Sequence, residues 1–187
     1  MRTLVTIFAA LCCVSSLALA QSNRPQVVML HLGDDPADPE AEALIIPAAS
    51  PVHLESFPRD QGTGAVFRGR FTLSGTYELS GYREDSYATF WPNKKSRERL
   101  PYWRARGGPG AIYLSNGWAL AEAVAPKARL AKLQADPEYK VRGNITVIAE
   151  NFETSIECDA ANFSARFVSV VQTPMRVAAV KGDEGGC

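Results

Sequence analysis

A run of thirteen residues with strict alternation constrains the fold more than any other feature of this chain. Apolar or small residues occupy every second position from residue 67 to residue 79, and polar residues lie between them. Because successive side chains of a strand point to opposite faces of a sheet, this pattern predicts one long, half-buried strand. Glycines on its apolar side leave no side chain to pack, so we expect the strand to coil or bend there. The predicted buried side carries Phe67, Gly69, Phe71, Leu73, Gly75, Tyr77 and Leu79.

Similar but shorter patterns predict six further strands. Two of them alternate over many residues, at 139–150 and at 163–171, and we expect residues 163, 165, 167, 169 and 171 to share one face. The others are short apolar or β-prone runs bounded by turn residues. These lie at 26–32, 86–91, 111–114 and 154–158.

Prolines and glycines divide the remaining chain. Asn116-Gly117 is typical of a two-residue hairpin turn, because both residues tolerate positive φ angles. Pro126 rules out one continuous helix over 118–134, so we read a short strand or turn at 118–124 and a helix from Pro126 to about Gln134. After Pro174, residues 175–181 are predicted to pair back as a terminal hairpin, followed by a tail.

From residue 65 to residue 173 the predicted order is a long glycine-bent strand, two strands, a short helix and two more strands. This element order resembles an OB fold, a small five-stranded barrel with a coiled first strand. The resemblance implies a mainly β chain, with a small antiparallel β-barrel and one short helix over residues 65–187. Residues 21–64 would be an N-terminal extension packing on the barrel. A β-sandwich is the alternative, since the same strands can close either way.

The first twenty residues have the three parts of a cleavable export signal. Arg2 supplies positive charge, residues 4–14 are apolar apart from Thr6, and Ala18-Leu19-Ala20 is a small-x-small cleavage site. A membrane-spanning helix needs about 20 apolar residues, and this run is shorter. We therefore expect a signal peptide at residues 1–20 and a mature protein that begins at Gln21 and is periplasmic or secreted.

Charge is balanced overall but unevenly distributed along the mature chain. Residues 21–187 carry 19 basic and 20 acidic side chains, which argues against bulk nucleic-acid binding through neutralised phosphates. Residues 34–42 carry five acids and no base, whereas residues 83–106 carry a surplus of four bases. Charge runs of this kind are often solvated loops.

The OB resemblance implies a ligand face on the second and third strands of the barrel. Aromatic rings there offer stacking surfaces and neighbouring bases attract anions, so an anionic polymer or lipid surface is the expected partner. The alternative is that Phe90 and Trp91 simply pack in the core or at a strand end. The candidate ligand-binding residues are Tyr87, Phe90, Trp91, Lys94, Lys95, Arg97, Arg99, Tyr102 and Trp103.

No motif for catalysis or for metal binding is present in the sequence. His31 and His53 lack the close spacing of a zinc site, and no nucleophile elbow, phosphate loop or H-E-x-x-H occurs. We therefore expect no cofactor or metal and favour a non-enzymatic binding or envelope-interaction module. A secreted enzyme of unrecognised type and a purely structural envelope protein stay open as alternatives.

Two cysteines remain after cleavage of the signal peptide, Cys158 and Cys187. In an oxidising compartment two cysteines are more often a disulfide than a metal site or a nucleophile. If a terminal hairpin turns near residue 173, these cysteines lie at about equal distances from the turn and face each other. The sequence thus predicts a Cys158–Cys187 disulfide, with a free or intermolecular thiol as the alternative.

Overall fold

The computed structural model of the protein describes residues 24–31, 41–58, 63–80, 87–172 and 177–181. Over these residues the chain is mainly β, as the alternating patterns predict. The strands are β1 Gln26–His31, β2 Ala41–Ile46, β3 His53–Ser56, β4 Thr63–Ser80, β5 Tyr87–Pro92, β6 Tyr102–Trp103, β7 Ile112–Leu114, β8 Tyr139–Glu157, β9 Ala160–Gln172 and β10 Val177–Lys181. The helices are α1 Lys94–Arg97, α2 Gly117–Val124 and α3 Lys127–Ala135.

Five strands form a ring of hydrogen-bonded neighbours, in the order β4, β5, β7, β9, β8 and back to β4. β7 and β9 run parallel and share two residue pairs, Tyr113 with Ser164 and Leu114 with Ala165, and the ring is not a clean barrel. Because the ring runs through a single sheet, it differs from the sandwich alternative, in which two sheets face each other. Its element order is the one that resembles an OB fold, with helices between β7 and β8.

The buried side of β4 is the one that the alternation predicts. Phe67, Phe71, Leu73, Tyr77 and Leu79 are all almost fully buried. The rings of Phe67 and Phe71 pack on Phe152 from β8 at centroid distances of 5.8 and 5.9 Å. Burying each such side chain contributes about 1.5–3 kcal/mol, so this cluster holds β4 against β8.

β4 and β8 both bulge at the same level of the sheet. The register between them shifts between Phe67 and Arg70, where Gly69 has a φ of +126°. On β8 the register with β9 shifts between Glu150 and Glu153, where Asn151 has a φ of +53°. The bend predicted at Gly69 is therefore present, and β8 has an extra residue at the same level of the sheet.

The extra residue explains why two strands were predicted where the structure has one. The buried residues are Val147 and Ala149 before Asn151, and Phe152 and Thr154 after it. The buried positions are therefore odd-numbered before Asn151 and even-numbered after it. The separate strands predicted at 139–150 and 154–158 are one continuous strand, β8. Further register shifts against β9 leave Val171 more than half exposed, so it does not share the face of Phe163 and Phe167 as predicted.

The described part of the predicted N-terminal extension contributes to both sheets. β2 pairs with β1 and with β6, forming a small three-stranded sheet. β3 pairs with β4 at the edge of the large sheet. Leu44 and Val52 belong to the same hydrophobic core as the ring strands, so the segment is an integral part of the core.

Residues 117–124 form helix α2, so the predicted strand or turn at this point is wrong. The helix buries Leu120, Ala121 and Val124, which lie on one face. Asn116 does not form the predicted hairpin turn, because its side-chain amide bonds both the N–H and the C=O of Phe167 on β9. The helix predicted from Pro126 to about Gln134 is confirmed as α3, and Pro126 separates it from α2.

The two-residue hairpin turn lies instead at Cys158-Asp159, between β8 and β9. Both residues have positive φ angles, 47° and 63°, as the favoured two-residue hairpin turns require. The predicted terminal hairpin is wrong, because β10 pairs with β8 and not with β9. Gln172 pairs with Thr146 and Val177 with Gly143, so β9 and β10 follow one another along the same strand.

Candidate functional site

Helix α1 is short and is fixed to the sheet at its first turn. Asn93 caps it, because its side-chain oxygen accepts a hydrogen bond from the N–H of Ser96 at 2.9 Å. Ser74 on β4 then holds both residues: its C=O accepts from the N–H of Asn93, and its N–H donates to Oγ of Ser96. Leu100, just beyond the helix, is buried in the core. The segment is thus anchored before, within and after its charged residues.

The anchored segment carries four exposed basic side chains, which we call the basic platform. Its members are Lys94, Lys95, Arg97 and Arg99. Glu98 is the single acid between residues 94 and 99, and its carboxylate lies 3.8 Å from the ammonium group of Lys94. An exposed pair of this kind contributes little, so the platform keeps a net positive charge in solvent.

Phe90 and Trp103, predicted to contact a ligand, are both fully buried. Phe90 lies in the hydrophobic core, as the alternative reading of the sequence had it. The indole N–H of Trp103 donates to Oγ1 of Thr154 at 2.7 Å, across the core from β6 to β8. Neither ring is accessible for stacking, so the predicted groove does not have these two aromatic residues in its floor.

The remaining predicted aromatic residues lie in different settings. Trp91 is half-buried, and the guanidinium of Arg142 lies over its ring at 5.3 Å from the centroid. Glu78 accepts two hydrogen bonds from that guanidinium, at 3.0 and 2.6 Å, so this face of Trp91 is already occupied. The strand position of Tyr87, opposite Ser80, is given by the structure, and its side chain lies outside the described part.

Tyr102 is the aromatic residue that the structure brings to the platform. A Cβ atom placed on Gly108 would lie 3.6 Å from Cγ of Arg97 and 3.7 Å from Cβ of Tyr102. The two side chains therefore flank the same glycine, and Tyr102 is half-buried at the border of the platform. Of the nine predicted ligand-binding residues, the four bases and Tyr102 form this surface.

Two bases of the same loop have other surroundings. Arg106 is mostly buried, and its Nε donates to Glu42 at 3.0 Å. Its guanidinium also bonds the C=O of Asp159, in the turn between β8 and β9. Arg106 thus has a structural role in joining β2 to that turn. Arg104 is exposed, and its backbone N–H donates to the C=O of Ala43.

The pKa is shifted at Tyr77 and at the exposed pair of Glu55 and Arg68. Burial raises the pKa of Tyr77 to about 12, and the nearby charge of Arg129 opposes this shift. The hydrogen bond from Arg68 lowers the pKa of Glu55, and both groups are solvent-exposed. No group of three or more His, Cys, Asp or Glu side chains that could hold a metal ion occurs among the described residues.

Cys158 is exposed and is the single cysteine in the part of the chain that the structure describes. Cys187 lies outside that part, so the structure does not test the predicted disulfide. The hairpin on which its geometry was based is absent, because β10 pairs with β8.

The sequence did not identify the residues that fix the platform, Ser74 and Ser96. Ser74 lies in the alternating run as an ordinary outward residue, and its backbone bonds to α1 have no sequence signal. The signal that was present is Asn93 directly before the basic run, since asparagine is a preferred helix N-cap.

Comparisons with known proteins gave no match to a family model, to a curated protein or to a solved structure. None of the helices in the described ranges is long and apolar enough to cross a membrane.

Proposed function

We propose that this protein is an exported, non-enzymatic binding module that recognises an anionic polymer through the basic platform. Export is part of the proposal and is supported by the signal-like first twenty residues. The observation that carries the proposal is that four exposed bases lie on one short, anchored segment with one acid among them.

Anchoring matters because fixed charges lose less conformational entropy when they bind. The backbone of residues 93–97 is held by the Asn93 cap and by the bonds to Ser74, so binding orders side chains but not the backbone. A mobile basic loop would have to be ordered at the same time, which weakens binding.

A polymer is favoured over a lipid surface because the platform has no apolar side chain to insert. The exposed large hydrophobic residues of the described chain lie elsewhere, at Val27, Met29, Phe57, Tyr113 and Val171. Peripheral membrane binding generally combines basic residues with an inserted apolar face. A sulfated, carboxylated or phosphorylated polymer in solution can bind the charged groups of the platform without any inserted apolar side chain.

The test compares binding of the protein to dextran sulfate and to uncharged dextran. We expect the protein to bind the sulfated polymer and not the uncharged one. Neutralising all four platform bases should lower the affinity for dextran sulfate at least about tenfold, because each exposed charge pair contributes roughly 0.5 kcal/mol or more. The platform variant is Lys94→Gln, Lys95→Gln, Arg97→Gln and Arg99→Gln.

A second variant with the same change in net charge serves as the control. It replaces four bases elsewhere on the surface, Arg68, Arg70, Lys127 and Arg166, with glutamine. Equal loss in both variants would mean that binding follows net charge and not the platform. Stronger binding to vesicles of phosphatidylglycerol than to dextran sulfate would make the ligand a lipid surface.

A further inference from the structure

A shallow groove of about 430 Å³ crosses the outer face of the large sheet, away from the basic platform. Residues of β4, β8, β9 and β7 line it, so it runs across four neighbouring strands. Its polar and aromatic lining includes the exposed or half-buried residues Tyr113, Glu153, Ser155, Glu157, Asn162 and Ser164, together with the buried Thr154 and Phe163. Among the described residues that line it there is no base.

The central strand under the groove, β8, has no free backbone edge to offer a ligand. It is paired over Glu153–Ile156 with β4 on one side and with β9 on the other. An extended peptide therefore cannot add to β8 as a further strand, which is how exposed sheet edges recognise peptides. Over β8, recognition has to come from side chains.

Those side chains mainly accept hydrogen bonds. The carboxylate of Glu153, the amide of Asn162 and the hydroxyl of Ser164 bond no other residue within the described ranges. The carboxylate of Glu157 is held by a hydrogen bond from the hydroxyl of Ser155 at 3.0 Å. Two carboxylates, with no base among the described lining residues, favour a ligand that donates hydrogen bonds over an anionic one.

The two carboxylates are spaced along the strand. Glu153 and Glu157 are four residues apart on one face of β8, which separates their Cα atoms by about 13 Å. The groove suits an elongated ligand with several donor groups.

Tyr113 supplies an aromatic surface at the end of this groove. It lies on β7 opposite Ser164 of β9, and 47% of the residue is exposed. An exposed ring face stacks on the C–H face of a sugar ring, while neighbouring carboxylates and amides bind its hydroxyl and amino groups.

We propose that this groove is a second binding site, which takes a saccharide chain carrying hydroxyl and amino groups. Tyr113 stacks on one sugar ring, and Glu153 and Glu157 bind donor groups further along the chain. The site is independent of the basic platform and has the opposite charge preference.

The test is calorimetric titration of the protein with an oligomer of glucosamine, and in parallel with an oligomer of galacturonic acid. We expect binding of the amino sugar alone. Tyr113→Ala should weaken it about tenfold, and Tyr113→Phe should not, because the ring face is kept. Glu153→Gln with Glu157→Gln should weaken it about tenfold or more, since each carboxylate makes charge-assisted bonds.

A control variant with the same charge change, Glu98→Gln with Glu138→Gln, should bind as the parent does. Absence of binding to the amino sugar, or binding that all these variants retain, would overturn the proposal. Spermine binding that is as strong and insensitive to Tyr113→Ala would reduce the groove to a general cation site. Concentration-dependent self-association, abolished by the platform variant, would show that the basic platform of a second copy occupies the groove.

Discussion

At the scale of single residues, Tyr77 and Trp103 differ in whether their buried polar group has a hydrogen-bond partner. Both side chains are fully buried, yet the indole N–H of Trp103 has Thr154 as its acceptor. The hydroxyl of Tyr77 has no hydrogen-bond partner among the described residues. A buried polar group without a partner costs stability, so the two residues are expected to respond to substitution in opposite ways.

Tyr77→Phe removes the unpartnered hydroxyl and keeps the ring. We expect the free energy of unfolding to rise by about 1 kcal/mol, because the desolvation cost of the hydroxyl disappears. Urea denaturation at pH 7 measures this change. A loss of stability of about 1 kcal/mol or more would show that the hydroxyl makes a bond that stabilises the fold.

The raised pKa of Tyr77 predicts an alkaline effect of defined sign. Below pH 10 the tyrosine is protonated in both the folded and the unfolded state, so it contributes no pH dependence. Between pH 10 and about 12 the unfolded state loses this proton while the folded state keeps it, so stability falls as pH rises. Over this pH range the parent is expected to lose about 2–3 kcal/mol of unfolding free energy through Tyr77.

The measurement is the difference between parent and Tyr77→Phe in unfolding free energy from pH 9 to pH 12. Because the other tyrosines titrate in both proteins, the difference isolates Tyr77. We expect the unfolding free energy of the variant to rise relative to that of the parent as pH rises. A constant difference over this range would contradict the raised pKa.

Thr154→Val tests the partner of Trp103. The substitution keeps the shape of the side chain and removes the acceptor of the indole N–H, together with the bond from Thr154 to the C=O of Asn162. We expect a loss of about 1–3 kcal/mol in urea denaturation, because the indole N–H stays buried without a partner. The same change at Thr72, which is exposed on the outer face of β4, should alter stability by less than about 0.5 kcal/mol.

At the scale of elements, the long strands were predictable and their irregularities were not. Alternation identified β4 and its buried face, because the buried side chains of that strand lie at odd-numbered positions throughout. In β8 an extra residue at Asn151 moves the buried side chains from odd-numbered to even-numbered positions. The alternation pattern therefore predicted two strands there. Helix α2 was missed because Pro126, which does end it, was read as evidence against any helix before it.

The bulge in β4 holds Gly69 in a backbone conformation that other residues rarely adopt. Its φ of +126° lies in a region that is essentially closed to other residues, and an added Cβ would lie 2.9 Å from the C=O of Pro51. We expect Gly69→Ala to lower the unfolding free energy by about 1–3 kcal/mol. Gly110→Ala is the matched control, because its Cβ would meet nothing within 4 Å. Equal stability of the two variants in urea would contradict the bulge.

At the scale of the whole molecule, the order of elements pointed to the ring of strands, but not to the pairing at its ends. A sequence pattern reports which residues are buried, whereas pairing depends on where distant strands meet. Pro174 suggested a hairpin, but β9 and β10 pair with successive parts of the same edge of β8. For the site, the pattern found the exposed bases, but it could not separate Tyr102 from Phe90 and Trp103, which are buried.

This pairing changes the expectation for the cysteines. Cys158 follows one end of β8, and Lys181 pairs with Tyr139 at the other end. The strand is about 60 Å long along its course, whereas six residues beyond Lys181 reach at most about 20 Å. We now expect no bridge from Cys158 to Cys187 of the same chain.

Thiol labelling of the denatured, unreduced protein measures this directly. Two reactive thiols per mature monomer are expected, and a dimer on a non-reducing gel would indicate an intermolecular bond instead. A monomer without reactive thiols would contradict the expectation and restore the intramolecular disulfide that the sequence predicts.

The central claim is that the basic platform is the anion-binding surface, and the salt dependence of binding tests it most directly. Exposed charges are screened over about 10 Å at 0.1 M salt, so binding to dextran sulfate should weaken steadily as salt rises. We expect the slope of log K against log salt to become several-fold shallower in the platform variant and to stay close to that of the parent in the charge-matched control. A parent-like slope in the platform variant would contradict the claim.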